Sequence, residues 1–215
     1  MRVIAGTYRS RQLIAPRGSD TRPTSDRLRE TLFNILAPRV AGCRFADLYA
    51  GTGAVGIEAI SRGAAQVWFA EKAEPALAAI RDNLKALKIA RGFTIEERGT
   101  GALLERLAKK AQKAPAQSLP AEAAETLATA TSYGQPSDGL DLVYLDPPWE
   151  AEAEFANTLH LLGSARGRLV LAPDALVVAE HKSKDPLAAR YGELVQTRTL
   201  KQGDAALSFY AIAAE

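Results

Sequence analysis

From Arg44 onward, apolar runs of strand length alternate with segments whose apolar residues recur every three or four positions. "RFADLYA" reads as a buried strand entering a glycine-rich turn, and "AVGIEAISRG" as a helix closed by Gly63. "QVWFAE" is a second buried strand. "PALAAIRDNLKALKI" sets Leu77, Ile80, Leu84 and Leu87 on one helical face, with Pro75 suited to its first turn. A short third strand, "FTIEE", and a third helix, "GALLERLAKKAQK", follow. After an interruption the rhythm resumes with the strand and loop of "LDLVYLDPPW", a helix through "AEFANTLHLLG" and the strand "ALVVAEHK". Such alternation predicts a parallel sheet covered on both faces. Two alternating runs in "LVQTRTLKQGDAALSFYAI" lie too close together for a crossover, so they are expected to pair antiparallel. The fold class is therefore α/β, a Rossmann-like sheet that is mostly parallel and ends in an antiparallel hairpin.

Two regions stand outside this rhythm. "RVIAGTYRSRQLIAP" predicts a hairpin or extended arm, and "TSDRLRETLFNIL" a helix with Thr24 or Ser25 as its cap and Pro38 past its end. Residues 1–39 are read as an N-terminal extension and 40–215 as the main domain. Residues 112–139 are rich in Ala, Gln, Ser, Thr and Pro and read as an inserted surface loop, with a short helix around "AEAAETLA".

Composition narrows the function. With 47% hydrophobic residues in 215, one ordinary core is affordable, and the single Cys43 supports neither a disulfide framework nor a zinc cluster. No run of about 18 apolar residues is present, so a soluble, cytoplasmic protein is expected, acting as a monomer and without a metal. The net charge is only +2, yet the first thirty residues hold seven arginines against three acids, and no lysine. A basic end on a near-neutral body suits a polyanion, and the arginine fork suits phosphate.

The chemistry begins at "DLYAGTGAVG", where Gly51, Gly53 and Gly56 form a G-x-G-x-x-G and Glu71 follows Gly51 by twenty positions. Read alone, this fits a dinucleotide site as well as an S-adenosylmethionine site. Asp47 favours the second: a carboxylate there repels a pyrophosphate but attracts the ammonium of a methionine moiety. Glu71 fits the ribose of either ligand. "LDPPW" then adds an acid, Asp146, the rigid carbonyl acceptors of Pro147 and Pro148, and the aromatic plate Trp149. That set fits a flat heterocycle with an exocyclic amine, Asp146 and the Pro147 carbonyl accepting from –NH2 and Trp149 stacking on the ring.

"DLYAGTGAVG", "FAEK" and "LDPPW" resemble the motifs of amino-directed, S-adenosylmethionine-dependent methyltransferases. With "RVIAGTYRSRQLIAP" and "TRPTSDRLRETLFNIL", the chain resembles the RsmD-type 16S ribosomal RNA guanine-N2 methyltransferases of bacteria. The resemblance spans roughly residues 2–100 and 140–212. It implies a class I methyltransferase sheet, S-adenosyl-L-methionine as cofactor, and a guanine of 16S rRNA in the small subunit or its assembly intermediate as substrate. It further implies catalysis by Asp146, Pro147 and Trp149. Cofactor binding falls to Asp47, Tyr49, Gly51, Thr52, Gly53, Gly56, Glu71 and Lys72, and RNA contact to Arg2, Arg9, Arg11, Arg22, Arg27 and Arg29. Arg22, Arg27 and Arg29 are also candidates for pinning the arm to the domain. The chain departs from the family after its third strand, where an Asp or Asn for the adenine amine is replaced by Gly99-Thr100. Thr100 is the side chain left at that point, with backbone groups as the alternative. A DNA or other RNA amino-methyltransferase, a non-catalytic rRNA-binding assembly factor and a nicotinamide oxidoreductase are the rival readings.

Overall fold

The computed structural model describes residues 1–15, 25–113, 139–149 and 151–213. One sheet holds eight strands: β1 (Arg44–Leu48), β2 (Gln66–Ala70), β3 (Phe93–Glu96), β4 (Leu140–Leu145), β5 (Leu171–Lys182), β6 (Arg190–Tyr191), β7 (Leu194–Gln202) and β8 (Ala205–Ile212). Their order is β3-β2-β1-β4-β5-β8-β7-β6. β1 to β5 pair in parallel, whereas β8 lies antiparallel to both β5 and β7. The expected mixed sheet is therefore present. The order reverses between β1 and β4, the place where crevices open beyond the strand ends of such sheets.

Six helices cover the sheet among the described residues: α1 (Asp26–Val40), α2 (Ala54–Ser61), α3 (Glu74–Ala86), α4 (Thr100–Lys113), α5 (Glu152–Leu162) and α6 (Ala165–Arg168). Strand alternation divides the core. Phe45, Phe69, Leu142, Tyr144 and Val178 face α1, α2 and α3, while Ala46, Leu48, Trp68, Val143 and Val177 face α4 and α5. None of these helices is long and apolar enough to cross a membrane.

Three expectations are refined. Pro38 lies inside the last turn of α1 rather than past its end, because a proline there forfeits a single bond near the frayed terminus. Gln112 and Lys113 still belong to α4, Gly139 leads directly into β4, and the rest of the expected insert, 114–138, lies outside the described residues. The arm makes one isolated antiparallel bridge, Arg2 to Gln12, instead of two strands.

Val3, Ser10 and Leu13 N–H do bond across the arm, but the ladder stops there because other donors are spent on the helices beneath it. Ile4 and Ala5 N–H donate to the Glu58 carboxylate at 2.7 and 3.0 Å, and Thr7 and Tyr8 N–H to the Ser61 carbonyl and Oγ at 2.8 and 2.9 Å. Asn83 of α3 receives Ile14 N–H at 2.7 Å and returns its own amide to the Ile14 carbonyl at 3.1 Å. Val3 and Leu13 join the core under α1 and α2.

Candidate active site

At the strand ends beside β1 and β4 lies a cleft of about 960 Å³, the size range of a ligand site. Its floor is set by the turn that leaves β1. Gly51 and Gly53 hold φ of 54° and 75°, the left-handed region open to glycine at little strain, so the chain turns sharply into α2 with Gly53 as its cap. Beneath them, a Cβ on Gly56 would stand 2.3 Å from the Phe69 ring. Glycine at 56 is thus required for close helix-to-strand packing.

Asp47 is 1% exposed, and its Oδ2 accepts the Gly56 N–H at 2.8 Å. Burial pushes its carboxyl up to about 8, against the Gly56 bond and with a further push from the charge of Glu71. Glu71 fastens the loop from the other side, accepting Gly51 N–H at 2.9 Å and the N–H groups of Lys72 and Ala73 at 2.7 and 2.9 Å. Tyr49, at φ 63°, hydrogen-bonds Glu154 at 2.8 Å and Thr158 at 2.7 Å on α5. Burial raises its hydroxyl to about 12, which suits a wall rather than a proton carrier. Thr100 Oγ1, at the start of α4, is buried without a hydrogen-bond partner of good geometry among the described residues.

Asp47, Tyr49, Gly51, Thr52, Glu71, Lys72, Thr100, Asp146, Pro147 and Trp149 all line this one cleft. Gly53 and Gly56 do not; they shape the turn from below. The donor set fits an S-adenosylmethionine-like ligand: an acid at the mouth of β1, a second at the mouth of β2, and a buried hydroxyl, Thr100, left wanting a partner. Trp149 is half-buried, with the Lys182 ammonium 5.8 Å from its ring centroid. The Pro148 carbonyl accepts Ala151 N–H at 2.8 Å, so it stiffens the loop toward α5.

Of the arginines expected at the RNA, Arg2, Arg9, Arg11 and Arg27 are exposed. Arg22 lies outside the described residues. Arg29 is a correction: it is 0% exposed and cannot reach a polyanion. It donates to the Arg2 carbonyl, pairs with Asp26 at 2.9 Å and stands 4.0 Å from Glu58, pinning the arm through acids other than Glu30. His160 is exposed and edge-on to Tyr191, and His181 is buried against Ser208 Oγ at 2.8 Å; neither lines the cleft. Among the described residues no group of three His, Cys, Asp or Glu side chains is placed to hold a metal.

Sequence reasoning missed several walls of the cleft. Met1, Ser25 and Leu28 bring the arm and α1 to its rim, and Tyr144 and Glu180 close the side of β4 and β5. Alternation along "LVVAEHK" would have put Glu180 on the face of Val178, and that was the available signal.

Comparison with known proteins agrees with this geometry. A family model described as "Conserved hypothetical protein 95" matches residues 1–119 and 116–211. The chain is 31% identical over 210 residues to the "Putative rRNA methyltransferase YlbH" of Bacillus subtilis, covering 98% of each. It is 37% identical over 106 residues to the "Ribosomal RNA small subunit methyltransferase D" of Escherichia coli, covering 49% of this chain and 54% of that protein. Among solved structures, "Putative methyltransferase yhhF from Escherichia coli" superposes with a TM-score of 0.73 at 26% identity, covering 100% and 99% of the two chains. A protein described as "SMU.776, a putative methyltransferase complexed with SAH" shares the fold, with a TM-score of 0.58 at 12% identity over 86% of this chain and 49% of its own. With a family model spanning nearly its whole length and a relative matched end to end, the chain belongs to the conserved hypothetical protein 95 family, the RsmD-type methyltransferases.

Proposed function

We propose that this protein transfers a methyl group from S-adenosyl-L-methionine to the exocyclic N2 amine of a guanine in 16S rRNA, in the cytoplasm, on the small subunit or its assembly intermediate. The observation that carries the reading is the meeting, in one cleft, of the Asp146-Pro147-Trp149 loop with the glycine turn, Asp47 and Glu71. Similarity to proteins named for small-subunit rRNA methylation supports the choice of RNA.

S-adenosylmethionine, when bound, supplies an electrophilic methyl on a sulfonium. The remaining work falls to the chain. Asp47 attracts the ammonium end, Glu71 takes ribose hydroxyls, and Gly51, Thr52 and Lys72 line the path between them. Tyr49 walls the cleft, and Thr100 offers its hydroxyl to the adenine side. An aromatic amine is a weak nucleophile because its lone pair is delocalised into the ring. Asp146 and the Pro147 carbonyl, each accepting one N–H, draw that lone pair out of conjugation and fix its direction. Alignment of this kind is worth several kcal/mol. Asp146 then holds the proton that leaves the methylated nitrogen. Trp149 stacks on the base and replaces part of the stacking it gives up on leaving the RNA. We further propose that residues 1–39 act as the RNA-contacting extension, with Arg2, Arg9, Arg11 and Arg27 as its exposed contacts.

The test is incubation with labelled S-adenosylmethionine and small subunits from a strain lacking the enzyme, followed by nucleoside analysis. N2-methylguanosine is expected. Asp146→Asn should lower kcat by about 10²–10⁴-fold while S-adenosylhomocysteine affinity stays close to wild type. Label entering no RNA, or entering another base, refutes the assignment.

A further inference from the structure

Outside the groups already given a role, the cleft contains a second buried acid. Glu180, near the end of β5, is 5% exposed, and its Oε2 accepts the hydroxyl of Tyr144, itself 2% exposed. Tyr144 lies in β4 and Asp146 just beyond its end at Leu145, and both line the cleft. The parallel register pairs Tyr144 with Val178 and Leu145 with Ala179. Extended one residue beyond the end of β4, the same register would bring Asp146 beside Glu180, and both line the cleft.

We propose that Glu180, held in place by Tyr144, is a specificity-determining residue that accepts the ring N1–H of guanine while Asp146 addresses the adjacent amine. The inference rests on the methyl-transfer reading above and concerns how that site chooses its base. Along its Watson–Crick edge guanine presents two neighbouring donors, N1–H and the N2 amine. Adenine presents a donor beside a bare ring nitrogen, and so does cytosine. Two adjacent acceptors therefore match guanine alone among these, and a bare nitrogen facing Glu180 would leave two acceptors opposed in a water-poor pocket. Sites built on such bonds discriminate more sharply than pockets built on shape.

The discriminating probe is 2-aminopurine, which keeps the N2 amine but has a bare N1. Small subunits are rebuilt with 16S rRNA carrying guanine or 2-aminopurine at the position that wild-type protein labels. Wild type should favour guanine by at least about tenfold in kcat/KM. Glu180→Gln should lower the guanine rate by at least about tenfold and narrow the preference to within roughly threefold, because its amide can donate to the bare N1. Tyr144→Phe keeps the carboxyl but loosens it, and should narrow the preference by a smaller factor in the same direction. S-adenosylhomocysteine affinity, read by calorimetry, should stay within about twofold of wild type in both variants. Equal losses on the two bases, or an unchanged guanine rate, overturn the role of Glu180. If Glu180→Gln does not fold, an unchanged preference in Tyr144→Phe overturns it instead. Wild-type protein that labels no guanine at all is a different result, and it removes the methyl-transfer reading itself.

Discussion

A single side chain, Asp47, ties the acidity of the solution to the filling of the cleft. Its carboxyl is pushed up to about 8 in the folded protein, well above the ordinary carboxylate range. From about pH 4 to 8 the folded chain thus holds a proton that the unfolded chain lacks. This group's contribution to stability is complete in acid and is lost as pH rises through 8. A ligand ammonium favours the ionised form, so binding expels the proton. S-adenosylhomocysteine affinity should therefore rise between pH 6 and 7.5, by at most about tenfold per pH unit. Calorimetry in two buffers of different ionisation enthalpy should read the released proton. Asp47→Asn retains an acceptor for the Gly56 N–H and should abolish both the slope and the release. At this scale the sequence was legible in part. The position of Asp47 could be read from its distance to the glycines, but its protonation depends on complete burial, which no spacing reveals. Of the two readings open for Arg29, RNA contact fails and pinning of the arm holds, for a related reason. It stands four, seven and eleven residues before Phe33, Leu36 and Val40, on the buried stripe of α1, yet its charge suggested the surface.

Among elements, the seating of the arm on α2 and α3 matters most to the site. Polar side chains do the fastening, so its failure is expected to be abrupt. Glu58 is fully buried and serves Ile4, Ala5, Arg62 and, more distantly, Arg29. Glu58→Ala leaves Arg62 and the Ile4 and Ala5 N–H without their carboxylate and should cost about 3 kcal/mol in urea denaturation, the scale of a broken buried ion pair. The Asn83 amide donates to the Thr52 carbonyl at 3.1 Å as well as to Ile14, so one residue spans arm and glycine turn. Asn83→Ala should speed tryptic cutting after Arg9 and Arg11 and weaken S-adenosylhomocysteine binding together; cutting without weakening would refute the link. None of this could be read from periodicity, because Glu58, Ser61 and Asn83 resemble ordinary polar residues of amphipathic helices. The repeating strands and helices were readable because burial on both faces demands long apolar runs. β6 and α6, with two and four residues, are too short to carry a period.

For the molecule as a whole, charge is expected to govern encounter with RNA. Arg9 and Arg11 sit on the exposed bend of the arm, away from the cleft. Replacing either by alanine should reduce the slope of log affinity against log salt by about 0.7–0.9, with binding to small subunits measured between 50 and 200 mM salt. An unchanged slope would place the RNA elsewhere. The general plan of sheet, glycine turn and Asp146–Trp149 loop was apparent from the motifs, since the turn and the loop each sit where a strand ends.

The Asn83 bridge has one more consequence. Because the segment that would grip the polyanion and the turn that would cradle the donor share a single amide, loading one is expected to register at the other. Thermodynamic reciprocity then requires that whatever factor RNA adds to donor affinity, the donor adds to RNA affinity. An enzyme so wired would let go of both products in concert, and severing Asn83 would loosen the link between the two grips.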